Sequence, residues 1–282
     1  MQQDLARSCR PGYLRGTRQA THHTARQALV ASAFTLLLGP LAAWAAGDEP
    51  AATPYRPTVA GGVALTEPGW LELEVGAQRL GGKNSDRRGS LPYLLKWAAS
   101  DDWGLLLGGD ARVTQRPDGQ RSLSGVGDTV LTLKVRLSQD RPSGDFGLEA
   151  SAKLPTAKDG LGSGRSDQAI KGIYSVDLPR GLHLDANLGV LRQGDAQPGQ
   201  SRSQWGWAAA VSHPAGQAWT LALDLSGTRQ RGAPSSAQLM GAASLSLSKR
   251  VVVDGGLARG LNDATPRWTA FAGVTVLLGQ LF

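Results

Sequence analysis

From Trp70 to Phe282 the chain repeats one pattern, in which apolar residues alternate with polar ones over about ten positions and then give way to turn residues. In Trp70–Gln78, Leu71, Leu73, Val75 and Ala77 oppose Glu72 and Glu74. Ser90–Ala99 sets Leu91, Tyr93, Leu95 and Trp97 against Lys96, and Trp103–Thr114 sets Leu105, Leu107, Ala111 and Val113 against Asp110 and Arg112. Gly127–Leu137 opposes Leu131, Leu133 and Val135 to Asp128, Thr132, Lys134 and Arg136. Phe146–Leu154 opposes Leu148, Ala150 and Ala152 to Glu149, Ser151 and Lys153, and Gln168–Leu178 opposes Ile170, Tyr174 and Val176 to Lys171 and Asp177. The same alternation recurs in 182–191, 204–212, 219–228, 237–247, 251–260 and 268–278. Period-two alternation of this kind predicts strands with one apolar and one polar face, about twelve of them.

The connections alternate too. Counted from the first, the odd ones are longer (80–89, 115–126, 155–167, 192–203, 229–236 and 261–267). The even ones are mostly tight, as at Ser100-Asp101-Asp102, Pro179-Arg180-Gly181 and Ser248-Lys249-Arg250. Long loops at one end and short turns at the other is the asymmetry of outer-membrane barrels. The apolar faces need a medium as well. Eight strands already enclose a just-filled interior, so about twelve closed with apolar faces inward would leave a void. Apolar faces outward against lipid and charges inward against a wet lumen remove that difficulty, and closure satisfies every backbone group. Ten residues at ~3.3 Å each, tilted ~40°, span roughly 25 Å, the height of the apolar band. The predicted fold is therefore all-β, a closed antiparallel up-and-down transmembrane β-barrel. Trp70, Trp97, Trp103, Phe146, Trp219 and Phe282 would ring one end of it, and Tyr93, Trp205, Trp207 and Trp268 the other.

The N-terminus changes the charge picture. The 282-residue chain has a formal net charge of +7, but residues 1–45 hold Arg7, Arg10, Arg15, Arg18 and Arg26 against Asp4 alone. Without them, 25 basic and 22 acidic residues remain, a net of +3, with no Lys/Arg-dense stripe for nucleic acid. The basic leader, the apolar stretch Leu29–Leu41 and the small-residue site Ala43-Trp44-Ala45 predict a secretory signal peptide over 1–45. Cys9, the single cysteine, falls inside it, so thiolate chemistry and disulfides are excluded from the mature chain. Residues 46–69 are rich in Ala, Pro and Gly with no sustained period, and read as a flexible segment before the barrel at 70–282.

Candidate lumen-lining residues come from the polar faces: Asp110, Arg112, Asp128, Lys134, Arg136, Glu149, Lys153 and Lys171. Cross-strand ion pairing and a charged permeation path are both open roles for them. The Gly160–Asp167 loop could fold inward or simply use its glycines for turns. Catalysis finds no set of residues. After the leader only His183 and His213 remain, no Gly-x-Ser-x-Gly elbow occurs, and no metal-ligand or phosphate-loop spacing appears, so no enzyme activity, metal or cofactor is expected.

Several motifs occur in one order: Gly125-Val-Gly127-Asp128 running into Lys134-Val-Arg136, Lys153-Leu-Pro155-Thr156, Gly160 to Asp167, Trp205-Gly-Trp207, and Gly260-Leu-Asn262-Asp263. Together, over roughly Trp70 to Phe282, they resemble the outer-membrane barrel transporter family named for the MetA-pathway of phenol degradation. The resemblance implies transport of hydrophobic or aromatic compounds across a Gram-negative outer membrane. The alternating strand that ends in Phe282 resembles the signal read by the barrel-assembly machinery, although Gln280 stands where an apolar residue is usual. The expected partners are thus outer-membrane lipid, that machinery and a small-molecule solute. Mixed inner charge predicts a narrow lumen with 46–69 as a candidate plug; the rival expectation is a structural barrel closed by its own ion pairs.

Overall fold

The computed structural model describes residues 50–81, 87–116 and 121–282; the predicted signal peptide lies outside the described residues. The strands are β1 (Trp70–Gly81), β2 (Arg87–Ala98), β3 (Trp103–Arg116), β4 (Leu123–Gly125), β5 (Thr129–Arg136), β6 (Asp145–Leu154), β7 (Asp167–Leu178), β8 (Leu182–Arg192), β9 (Ser203–Ala215), β10 (Trp219–Gln230), β11 (Ser236–Ser246), β12 (Val251–Gly260) and β13 (Trp268–Gln280). Apart from the short β4, consecutive strands pair antiparallel, with β3 pairing directly with β5, and β13 pairs with β1, so the sheet closes. β4 is a three-residue extension on β3, separated from β5 by Val126-Gly127-Asp128. The other twelve strands are the staves of the predicted up-and-down barrel.

Alternation places the faces as the sequence predicts over most of the wall. Leu131, Leu133, Leu148, Ile170, Leu221, Leu223 and Leu257 are exposed on the outside, while Glu72, Glu74, Lys96, Lys134, Glu149, Asp224 and Asp254 are buried inside. Only lipid makes that arrangement favourable, because each outward leucine would otherwise stay in water at a cost of about 1.5–3 kcal/mol.

Two register shifts interrupt the alternation, one between β1 and β13, where Leu71 opposes Gly279 but Glu72 opposes Leu277, and one within β3 that changes a predicted face. The β2–β3 register shifts between Leu91 and Pro92, so Leu91 opposes Arg112 whereas Pro92 opposes Asp110. Ala111 is the extra residue of a β-bulge, and beyond it the parity inverts. Asp110 still faces inward, but Arg112 turns to the outer side with Leu91, and Val113 turns inward and is fully buried. Pro92 has no N–H to give the ladder, which suits it to the irregular site.

The connections 99–102, 137–144, 179–181, 216–218 and 247–250 lie at one end, mostly as tight turns, and the connections 155–166, 193–202, 231–235 and 261–267 lie at the other, mostly as longer loops. In outer-membrane barrels the short turns face the periplasm, and that is the orientation expected here. Trp97 meets Trp103 and Phe282 edge-on, both at 6.1 Å between centroids, in the ring of aromatics at that end.

Candidate functional site: a peptide seated in the lumen

Residues 50–69 occupy the interior of the barrel. The segment enters at the short-turn end, where the Ala52 N–H donates to the Lys249 carbonyl at 2.8 Å, and it leaves at the same end, where the Gly69 N–H donates to Ala98 at 2.8 Å. Between these points it forms no helix or strand, so its N–H groups must find acceptors on the wall. They find side chains. Thr53 N–H donates to Glu72 Oε2 at 2.8 Å, Tyr55 N–H to Glu74 Oε1 at 2.6 Å, and Val59 and Ala60 both to Asp224 Oδ2 at 3.0 and 2.9 Å. Gly61 and Asn187 exchange two bonds, N–H to Oδ1 at 2.7 Å and Nδ2 to carbonyl at 2.8 Å. Val63 N–H donates to Ser175 Oγ at 2.9 Å.

The lysines of the wall complete the seat. Lys96 Nζ contacts Glu72 at 2.5 Å and Glu74 at 2.6 Å, and donates to the Thr53 carbonyl at 2.6 Å. Lys134 Nζ donates to the Gly62 carbonyl at 2.6 Å. Both ammonium groups lie over the Tyr55 ring, 4.0 and 3.8 Å from its centroid, so one aromatic face system lies against two buried cations. The Tyr55 hydroxyl donates to the Ala64 carbonyl at 2.8 Å and ties the two legs of the segment together.

Arg56 is the segment's charged anchor. Its Nε and Nη2 reach the Asp254 carboxylate at 3.0–3.2 Å, and its guanidinium carbon lies 5.5 Å from the Phe271 ring centroid. Two wall glycines make room for it: a Cβ at Gly76 would lie 3.0 Å from Arg56 Cζ, and one at Gly273 only 2.6 Å from Arg56 Nε.

Towards the long-loop end the lumen opens into a vestibule of about 630 Å³. Arg56, Pro57 and Val59 line it from the segment; Gln78, Leu80, Gln204, Ser226, Thr228, Gln238, Met240 and Phe271 line it from the wall. The lining mixes apolar groups with amides and hydroxyls, and Lys171 is the one wall residue with a formal charge among these.

The eight sequence-predicted residues divide into groups. Lys134 and Glu149 stand opposite one another in the β5–β6 register, 3.7 Å apart, and Glu149 is closer to Lys171, at 2.7 Å. These three meet beside the seated segment: a Cβ on Gly61 would lie 3.8 Å from Lys171 Nζ. Lys153 bridges Asp128 at 3.3 Å and Asp167 at 2.8 Å at the long-loop rim. There the 155–166 loop packs on β4 and the connector to β5 through Ala157 N–H to Asp128 and Lys158 Nζ to the Ser124 carbonyl. Gly160 and Gly164 in that loop have positive φ, the turn role. Arg136 lies at the opposite end, 3.8 Å from Asp101. Asp110 pairs with Arg88 at 3.6 Å, and Arg112 is on the outer face.

Glu72, Glu74, Lys96, Asn187, Asp224 and Asp254 were not singled out from sequence, although each stands on a polar strand face. The available signal was a surplus of inward acids over nearby cations, which calls for donors from elsewhere in the chain. His183 contacts Asp177 at 2.6 Å and Asp185 at 3.3 Å, while the Ser175 hydroxyl donates to Asp185, so this serine and histidine are not joined as nucleophile and base.

A closed barrel of twelve staves, with apolar residues outward and a peptide seated in its lumen, has the fold of an outer-membrane barrel. The chain belongs to the family described as "Putative MetA-pathway of phenol degradation", whose profile matches residues 55–278. Among solved structures it is similar to the COG4313 outer membrane channel from Pseudomonas putida F1, at 15% identity and a TM-score of 0.62, over 77% of this chain and 98% of that one. It also resembles the KdgM porin, at 9% identity and a TM-score of 0.50, over 74% and 99% of the two chains. The NanC porin gives 8% identity and a TM-score of 0.50 over 74% and 100%. No curated protein matches the sequence.

Proposed function

We propose that this barrel is a gated outer-membrane channel for small hydrophobic or aromatic molecules, with residues 50–69 as its gate. The observation that carries the reading is the way the segment is held. Its backbone is fixed to ionic and polar groups of the wall, contacts that water can replace, and among the described residues only Ala60 against Ala208 and Ala210 forms a buried apolar cluster. A vestibule of about 630 Å³ lies within the ~300–1,000 Å³ of ordinary small-molecule sites. Phe271, Leu80 and Met240 offer apolar contact there, and Gln78, Gln204 and Gln238 offer hydrogen bonds to a hydroxyl. The name of the family, with its phenol pathway, points to the same class of solute.

The test is flux into proteoliposomes. Neutral monocyclic phenols should pass faster than dicarboxylates of the same size, and Asp254→Asn should raise both rates. Absence of any protein-dependent flux, in wild type and variant alike, would leave a structural barrel. That second reading is favoured by one observation, the burial of Lys96 between Glu72 and Glu74 where it fills the lumen beside Tyr55. The closing strand β13 and the exposed Phe282 are proposed as the edge recognised by the barrel-assembly machinery.

A further inference from the structure

The outer face of the described strands carries its charge at one end only. Every Asp and Glu of the described strands lies on the lumen side, in register with inward residues such as Lys96, Lys134 and Ser175. On the described strands, outward-facing arginines occur only near the long-loop end, and four of them gather on β1–β3. In that patch Arg79 opposes Gly89, Leu91 opposes Arg112, and Arg87 stands directly opposite Arg116. All four arginines are exposed, and among the described residues no ion pair reaches any of them. Their neighbour Arg88 points inward and does have an acid, Asp110.

Like charges directly opposite one another weaken a sheet, so the Arg87–Arg116 pair has no folding rationale of its own. The bulge at Ala111 adds to the effect, since it is what turns Arg112 outward to join them. The four guanidiniums rim a cleft of about 490 Å³ into which Gly89, Leu91 and Thr114 also face. Its height is fixed by Trp268: Gly81 stands opposite both Trp268 and Arg87, so the indole and the guanidiniums share one transverse row. Trp268 belongs to the aromatic ring at that end, where the apolar band meets headgroups. Below the cleft the same face continues as Val75, Leu95, Leu105 and Leu107.

We propose that this cleft binds the phosphorylated sugar headgroup of lipopolysaccharide, with the acyl chains lying down the apolar wall beneath it. Arginine forks match phosphate oxygens two at a time, and a doubly phosphorylated headgroup supplies the negative charge that Arg87 and Arg116 lack. A soluble phosphate would satisfy the arginines equally but would have no use for the apolar wall below them. The proposal rests on the membrane orientation used above, in which the long-loop end faces outward.

The experiment is native mass spectrometry and titration of the detergent-solubilised chain with diphosphorylated lipid A, with phosphatidylglycerol and with inorganic phosphate. Wild type should prefer lipid A over phosphatidylglycerol at least tenfold, and R87Q/R116Q should lose at least tenfold in lipid A affinity. Arg229→Gln, outward on β10, should leave binding unchanged. Both variants should keep heat-modifiable migration on a gel, because they remove like-charge repulsion or an exposed charge. Equal lipid A affinity in wild type and R87Q/R116Q would overturn the site. So would equal affinity for phosphatidylglycerol, or displacement of lipid A by millimolar phosphate, which would make it a general anion patch. Solute flux through R87Q/R116Q in phospholipid vesicles should match wild type, so failure of the lipid site and failure of the channel reading are scored separately.

Discussion

Arg56 grips Asp254 through both Nε and Nη2, although 198 residues separate them in the chain. The contact joins the seated segment to β12, on the wall face that also carries Phe271. Removing the carboxylate with Asp254→Asn should cost about 1.5–3 kcal/mol of segment anchoring, the usual worth of a hydrogen bond to a charged group. Single-channel recordings should then show longer or larger openings than wild type. R56Q/D254N should be less perturbed in stability than either single change, because no lone charge is left in the lumen.

Gly273 offers a way to disturb the same anchor without touching either charge. A Cβ there meets Arg56 Nε at 2.6 Å and the Val75 carbonyl at 2.8 Å. Gly273→Ala should therefore lower barrel stability by about 1–3 kcal/mol, as overpacking does, and shift conductance in the direction of Asp254→Asn. Unchanged conductance in this variant would mean that the position of Arg56 does not set the aperture.

The two faces predict opposite tolerance. Leu133 is exposed on the outer wall, and Gln238 lines the vestibule. Leu133→Arg should destabilise by roughly 2–4 kcal/mol, whereas Gln238→Arg should stay within about 1 kcal/mol. Refolding titrations into lipid vesicles measure both, and equal losses would contradict a lipid-facing exterior.

Strand alternation made the wall legible, because a period of two is a local property. Glu72, Glu74, Lys134 and Glu149 could all be assigned to polar faces on that basis. The bulge could not be seen: the sequence alternates straight through Ala111, and its cause is a register shift against Pro92 on another strand. That single residue moved Arg112 from the lumen to the lipid side and Val113 the other way. The seat of residues 50–69 was hidden for a related reason. Its N–H groups reach wall side chains 19 to 165 positions away and Arg56 reaches one 198 away, and a segment with no period gives no sign of which side chains those groups will meet.

Topology has its own test. Ser163 is exposed in the 155–166 loop, and Asp101 is exposed in a short turn at the other end. With the single native cysteine Cys9 replaced by serine, Ser163→Cys should react with an impermeant thiol reagent on whole cells and Asp101→Cys should not. The reverse pattern would invert the barrel in the membrane.

The most direct test of the gate is the conductance of the barrel without its seated segment. A chain lacking residues 50–66 should still show heat-modifiable migration, since the β1–β13 closure begins at Trp70. In planar bilayers it should conduct several-fold more than the chain that keeps the segment, with fewer closures. A folded, truncated barrel that conducts no better than the full chain would contradict the account.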